Sequence, residues 1–170
     1  MEPLAIFGLQ LFLSLVVYTL IAKWHIAPWL ASKPIRDALP PLLFPHAIRH
    51  LGLTFFVPGV VAEPLPTYFS YSVGFGDLIS GLLAIVSLVA LRRGWGMALP
   101  MVWVFNVVGT ADLLNALHNP ASVPLLGATW FIPTFWVPVL LVTHGMIFAQ
   151  LVKKARRPSS LPDKTVVATG

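Results

Sequence analysis

Long apolar stretches alternate with short polar connectors along the whole chain. Five of these stretches are each near the roughly 20 residues that a helix needs to cross a hydrocarbon core about 30 Å thick. They cover residues of about 4–22, 42–62, 74–91, 97–118 and 127–152. The pattern predicts an all-α fold, an integral membrane bundle of five transmembrane helices in one domain over residues 1–155. Residues 156–170 are expected to form a disordered cytoplasmic tail.

The second apolar stretch is the weakest of the five. Pro45, His46, Arg49, His50 and Pro58 interrupt its apolar run. It is therefore either a full span or a re-entrant or kinked helix.

Basic residues fall in alternate connectors, which gives the chain a predicted orientation. They follow the first, third and fifth stretches: Lys23, Lys33, Arg36, Arg92, Arg93, Lys153, Lys154, Arg156 and Arg157. The connectors near 63–73 and 119–126 have no Lys or Arg. The positive-inside rule then places the N-terminus outside and the C-terminus in the cytoplasm, provided that the second stretch crosses.

Composition narrows the class of protein. The 170 residues are 57% hydrophobic and only 10% charged, whereas about a quarter of a soluble domain is charged. The net charge is +5, and the basic residues behind it lie at the ends of the spans and not on one face of a soluble module. No nucleic-acid partner is therefore expected. The absence of cysteine excludes thiolate metal sites and disulfides. No catalytic nucleophile or metal motif is present, so the chain is more plausible as a binding or transport protein than as an enzyme.

One group of ionisable residues is expected in the inner half of the membrane. His46, Arg49 and His50 lie in the second stretch and His144 in the fifth. Histidines on facing helices could ligate haem b between His50, or His46, and His144, with Arg49 paired to a propionate. The alternative is that Arg49 and His46 extend to the headgroups while His144 hydrogen-bonds a neighbouring helix.

A second polar group is expected towards the outside, as a ligand or ion path. Its members are Asp77, Asn106, Asp112, Asn115 and His118. Carboxylates and an imidazole could pass protons or hold a divalent metal, and two close carboxylates would share one proton. A water-filled vestibule or a set of interhelical hydrogen bonds is the plainer interpretation.

Small residues recur every fourth position in the third stretch, at Gly76, Ser80 and Ala84. This spacing is typical of a helix face that packs closely on another helix. The face could lie inside the bundle or between two copies of a homo-oligomer.

Three resemblances follow from particular segments. The segment from Ser72 to Asp77 resembles the selectivity filter of potassium channels, although a softened helix start has the same residues. The five-span size, the many tryptophans and the 33–41 loop with its prolines resemble the tryptophan-rich sensory proteins, which implies porphyrin or sterol binding. The patterns over 46–59, 105–112 and 133–144 are similar to an uncharacterised family of small multi-spanning bacterial membrane proteins.

Three functions therefore remain open for a multi-pass protein of the bacterial inner membrane. The first is a polar intramembrane site that binds a small ligand or cofactor. The second is a proton or ion channel or transporter that uses Asp77 and Asp112. The third is a non-catalytic accessory subunit of a larger membrane complex.

Overall fold

The protein's structure, a computed structural model, describes residues 2–156. Within this range the chain is helical and contains no strand, which confirms the all-α class. Apart from Arg156, the predicted tail lies outside the described residues.

Five helical segments form the bundle. They are α1 (Pro3–Ala31), α2 (Ile35–Ala47), α3 (Thr67–Arg92), α4 (Ala98–Leu117) and α5 (Gly127–Ala155). A 3₁₀ segment, Arg49–Phe56, continues α2 after Ile48. Within residues 2–156, α1, α3, α4 and α5 are long and apolar enough to cross a membrane. The count of five spans stays a prediction, because α2 is shorter than these four helices.

The segment α2 begins earlier than the sequence pattern predicts. Its first residue is Ile35, and Pro40 and Pro41 lie inside it rather than in a loop. A proline inside a helix removes one backbone hydrogen bond. Here both prolines lie within the first two turns of α2. The earlier start moves Arg49 further from that end than an origin at residue 42 implies, about 21 Å along the segment at 1.5 Å per residue.

The path of α2 and its 3₁₀ continuation runs the length of the bundle. At one end, Arg36 Nη2 donates to the Trp95 carbonyl in the α3–α4 connector, at 3.4 Å. At the other end, the connector after the 3₁₀ segment meets the α4–α5 connector, where Ala62 N–H donates to the Leu125 carbonyl at 3.0 Å. The segment packs between α3 and α5 on the way.

Two wider turns interrupt the long helices just before a proline. Ala27 N–H donates to the Ala22 carbonyl and Val137 N–H to the Ile132 carbonyl, each five residues back. Pro28 and Pro138 follow directly. A widened turn of this kind accommodates a proline within a continuing helix.

Apolar packing is concentrated at the two ends of the bundle, and a polar layer lies between them. The end with the basic residues is called inner and the opposite end outer, after the predicted orientation. The inner core includes Leu39, Leu42, Leu43, Val102, Phe105 and Ile147. The outer core contains Phe7, Phe55, Phe69, Val73, Val123 and Leu126. Helix α1 is peripheral, and most of its apolar side chains are exposed.

The structure bears on two interpretations of α3. The residues that resemble a channel filter, 72–77, lie inside a continuous α-helix, whereas a filter needs extended backbone that exposes its carbonyls. The small residues face inward: Ser80 and Ala84 are fully buried, and Gly76 lies against Asp112. The face therefore packs inside the bundle, and a homo-oligomer stays a prediction.

Candidate functional site

The polar layer is centred on Arg49, which binds two carboxylates on two different helices. Its Nε donates to Asp77 Oδ1 on α3 at 2.7 Å, and its Nη2 donates to Asp112 Oδ2 on α4. Its Nη1 donates to the Gly109 carbonyl at 3.2 Å. The Arg49 side chain is fully buried, and the two carboxylates retain only slight exposure. Every nitrogen of the guanidinium therefore has an acceptor.

Two glycines make room for this ion-pair cluster. A methyl group at Gly52 would collide with the Asp77 carboxylate, and one at Gly76 would collide with the Asp112 carboxylate. Larger residues at these positions would displace the acids from Arg49. The close approach of the 3₁₀ segment, α3 and α4 therefore depends on both glycines.

A second polar cluster lies beside the first, built around two histidines from α2 and α5. The His46 and His144 rings are 4.1 Å apart between centroids, and the Phe105 ring packs against both. Both histidines are buried completely or almost so. The contact joins two histidines that are 98 positions apart in the chain.

The hydrogen bonds of these histidines determine which ring nitrogens carry protons. Asn106 Nδ2 donates to the His144 carbonyl at 3.2 Å, so Asn106 Oδ1 must accept from His144 Nδ1, at 2.7 Å. Thr143 Oγ1 uses its single hydrogen towards the backbone of its own helix, so it accepts from His46 Nε2 at 2.9 Å. In the neutral rings, His144 Nε2 and His46 Nδ1 are therefore the basic nitrogens.

Both basic nitrogens are buried and have no hydrogen-bond partner among the residues that the structure describes. A methyl group at Gly109 would lie 2.9 Å from His144 Nε2 and 3.0 Å from Arg49 Nη1. The missing side chain at Gly109 therefore allows the imidazole of His144 to lie near the guanidinium. The two polar clusters meet at this glycine.

A small outer vestibule leads to the carboxylates. It is a cavity of about 40 Å³ lined by Asp77 and Asp112, by Asn119 and Ser122 of the α4–α5 connector, and otherwise mostly by apolar side chains. One water needs roughly 10–15 Å³ of such volume, so the vestibule has room for a few. Its size is far below the roughly 300–1,000 Å³ typical of small-molecule pockets.

The histidine pair does not fit haem b. Axial ligation needs an iron and its porphyrin between the two imidazoles, whereas the His46 and His144 rings are in direct contact. His50 is exposed, and its Nδ1 contacts the Ala47 carbonyl within its own turn. The proposed pair of His50 and His144 is therefore not brought together. No three His, Asp or Glu side chains converge as a metal site between residues 2 and 156.

The remaining predicted site residues divide between the clusters and the surface. Asn106 belongs with His144 and not with the outer acids. Asn115 is exposed and donates to Ser72 Oγ at 3.0 Å, and His118 is exposed on the same end. Arg49 joins the two acids, so the propionate role predicted for it is not supported by its position.

Four residues of the site were absent from the predicted site residues: Gly52, Phe105, Gly109 and Thr143. Gly109 stands alone in the middle of an apolar span, which is a weak sign of a close contact. Thr143 precedes His144 directly but has no distinguishing pattern. Their importance follows from contacts between helices that sequence spacing does not reveal.

Comparisons with known proteins give a family and no function. A family model described as a domain of unknown function (DUF8737) matches residues 6–152. No curated protein and no solved structure matches the chain.

Proposed function

We propose a function for this chain, which belongs to the DUF8737 family of unknown function: it moves protons through the bilayer by way of the Asp77–Arg49–Asp112 cluster. The observation that carries the proposal is the burial of three ionisable groups from three segments in the middle of an apolar bundle. Such groups are costly in a membrane and are typical of ion and proton pathways.

The charges of the cluster leave a place for one proton. One guanidinium faces two carboxylates, so the fully ionised cluster would carry a net charge of −1. An uncompensated charge in an apolar layer costs several kcal/mol. A proton shared by Asp77 and Asp112 removes that charge without a rearrangement of the helices.

The outer vestibule supplies the route by which this proton arrives. A few waters placed in it would connect the α4–α5 connector with both carboxylates. Waters between polar groups conduct protons readily and exclude larger solutes by size. This is why the geometry favours proton movement over the binding of a small ligand or a cofactor.

The histidine pair is the next acceptor along the route. His144 Nε2 has its lone pair free and lies close to Arg49 across Gly109, and His46 Nδ1 is free beside it. An imidazole nitrogen with a free lone pair can accept a proton from a donor that is brought close to it. Beyond the pair, the inner core is tightly packed. Release to the inside therefore requires the bundle to open there, which is the behaviour of a transporter and not of an open pore.

The orientation proposed with this function is five spans in a bacterial inner membrane, with the N-terminus outside. Two features support it. The basic residues gather at one end of the bundle, where Lys33, Lys153 and Lys154 border one groove and Arg36, Arg92 and Arg93 another. The α2 segment and its 3₁₀ continuation together extend roughly 35 Å, enough for a core of about 30 Å.

Proton flux in liposomes tests the proposal. The purified chain is reconstituted with a pH-sensitive dye inside, and a potassium diffusion potential drives protons inward. We expect flux above that of protein-free liposomes, and a fall of at least tenfold in Asp77→Asn and in Asp112→Asn. Asp37→Asn is the matched control, because Asp37 is exposed at the other end and should leave flux unchanged.

Two results would contradict the proposal. Wild-type flux equal to that of empty liposomes is one. Equal flux in the wild type and both site variants, with the variants correctly folded by circular dichroism, is the other.

A further inference from the structure

The inner end of the bundle contains a groove between α2 and α3 that plays no part in the proton route. Its cavity measures about 740 Å³. Arginines from two helices and a connector border it, together with apolar side chains: Arg36, Arg92, Arg93, Phe44, Leu88 and Val89. We propose that this groove binds an anionic phospholipid, with the phosphate on the arginines and an acyl chain along Phe44.

Charge is the first argument for this occupant. Three guanidiniums border the groove against one carboxylate, that of Asp37. Over residues 2–156, the ion pairs formed are those of Arg49 alone, so the arginines of the groove carry charge that no acid of the described chain neutralises. Guanidinium groups bind phosphate oxygens with paired hydrogen bonds, which favours a phosphate over a simple halide.

The apolar wall is the second argument. Phe44 and Val89 are 60% and 41% exposed, and both border the cavity beside the arginines. A soluble anion would leave this surface uncovered, whereas an acyl chain would cover it. Basic pockets between helices at the cytoplasmic side are the usual place for anionic lipid headgroups.

Arg36 is positioned to hold the groove open towards the headgroup region. Its Nη2 reaches the Trp95 carbonyl at 3.4 Å, which fixes the start of α2 to the α3–α4 connector. Trp95 is itself exposed at this end, as expected for an interfacial anchor. In the proposed orientation the groove therefore lies at the depth of lipid phosphates.

Lipid binding is tested by native mass spectrometry of the full chain in mild detergent, with dioleoylphosphatidylglycerol and dioleoylphosphatidylcholine as probes. We expect a clear preference for phosphatidylglycerol. Neutralising the groove with Arg36→Gln, Arg92→Gln and Arg93→Gln should weaken that binding at least tenfold, since each basic residue near the surface contributes about fivefold.

A second groove at the same end, bordered by three lysines, gives a matched control, because neutralising the three lysines removes the same amount of charge. Lys33→Gln, Lys153→Gln and Lys154→Gln alter the same end of the bundle, and this triple variant should retain the phosphatidylglycerol preference. Equal loss in both triple variants would overturn the proposal, because it would show attraction to net charge and not to a site.

The acyl-chain contact has its own control. Phe44→Ala should weaken the binding of the long-chain lipid about threefold or more, whereas Phe12→Ala, on α1 and 61% exposed, should leave it unchanged. Full displacement of the lipid by an equal concentration of inorganic phosphate would overturn the proposal in favour of a simple anion site. Neither outcome bears on proton flux, so the two proposals fail separately.

Discussion

Arg49 is the residue on which the interior of this bundle depends. Its side chain is fully buried, and its three nitrogens bind groups on α3 and α4. A buried ion pair contributes modestly when complete and costs several kcal/mol when one partner is removed. The stability of the bundle and the chemistry of the site therefore depend on the same side chain.

Removing Arg49 alone should destabilise the protein more than removing the whole cluster. Arg49→Met leaves two buried carboxylates without a cation, at a cost of about 3–5 kcal/mol. The triple variant Arg49→Met, Asp77→Asn, Asp112→Asn leaves no buried charge, so its thermal midpoint in detergent should lie above that of the single variant. A triple variant less stable than the single would show that these charges do not face one another.

A methyl group at Gly109 should disturb both polar clusters. Gly109→Ala places a carbon 2.8 Å from His144 Cε1 and 3.0 Å from Arg49 Nη1, and overpacking of this kind costs about 1–3 kcal/mol. We expect a lower thermal midpoint and reduced proton flux. Gly145→Ala, next to His144 but with open space around the added carbon, should be neutral or slightly stabilising. Equal effects of the two substitutions would contradict the contact.

The sequence identified most residues of the site and misplaced their partners. Asp77, Asp112, Arg49 and His144 stand out as ionisable groups inside apolar spans. The predicted depth of Arg49 in the membrane depended on a helix start at residue 42. Because α2 begins at Ile35, Arg49 lies instead at the level of the two acids. A shift of seven residues along a helix is about 10 Å, enough to exchange one set of partners for another.

At the scale of the helices, small residues determine which elements can touch. Ser80 and Ala84 are fully buried on α3, where Ala84 belongs to the inner core with residues of α2 and α4. The spacing of four residues correctly indicated a packing face, because it depends on the helix alone. Which helix would cover that face depends on the arrangement of the bundle, which the spacing does not contain.

Enlarging this face should affect stability and leave the oligomeric state unchanged. Ala84→Leu adds three carbons to a closed interface and should lower stability by about 1–3 kcal/mol. Ala111→Leu, the same change at an exposed position of α4, is the control and should have little effect. Thermal unfolding and light scattering in detergent measure both properties. A change in molecular mass for Ala84→Leu would indicate an interface between copies instead.

At the scale of the whole molecule, apolar cores at both ends enclose one polar layer. The alternation of apolar stretches is a property of the sequence, and it predicted an all-helical fold with helices long and apolar enough to cross a membrane. The path of α2 was harder to predict from the sequence. Three prolines and a 3₁₀ continuation interrupt the helical pattern of a segment that packs in the centre of the bundle. Its burial comes from neighbouring helices and not from its own apolar pattern.

The absence of cysteine allows a clean test of this topology. Single cysteines at Glu63, Ala121, Lys33 and Gly96 can be probed in intact cells with a membrane-impermeant maleimide. The first two should react directly and the last two only after permeabilisation, as five spans with the N-terminus outside require. Reaction at Lys33 and Glu63 from the same side would show that α2 does not cross.

Infrared difference spectroscopy of the protein in liposomes tests the central claim most directly, because it detects a proton on a carboxyl group. On acidification the wild type should show a carboxylic C=O component that shifts in D₂O, changes in Asp77→Asn and in Asp112→Asn, is missing from the variant with both acids and Arg49 neutralised, and persists in Asp37→Asn. A carboxylic region that is identical in the wild type and in the triple variant would contradict a proton shared by Asp77 and Asp112.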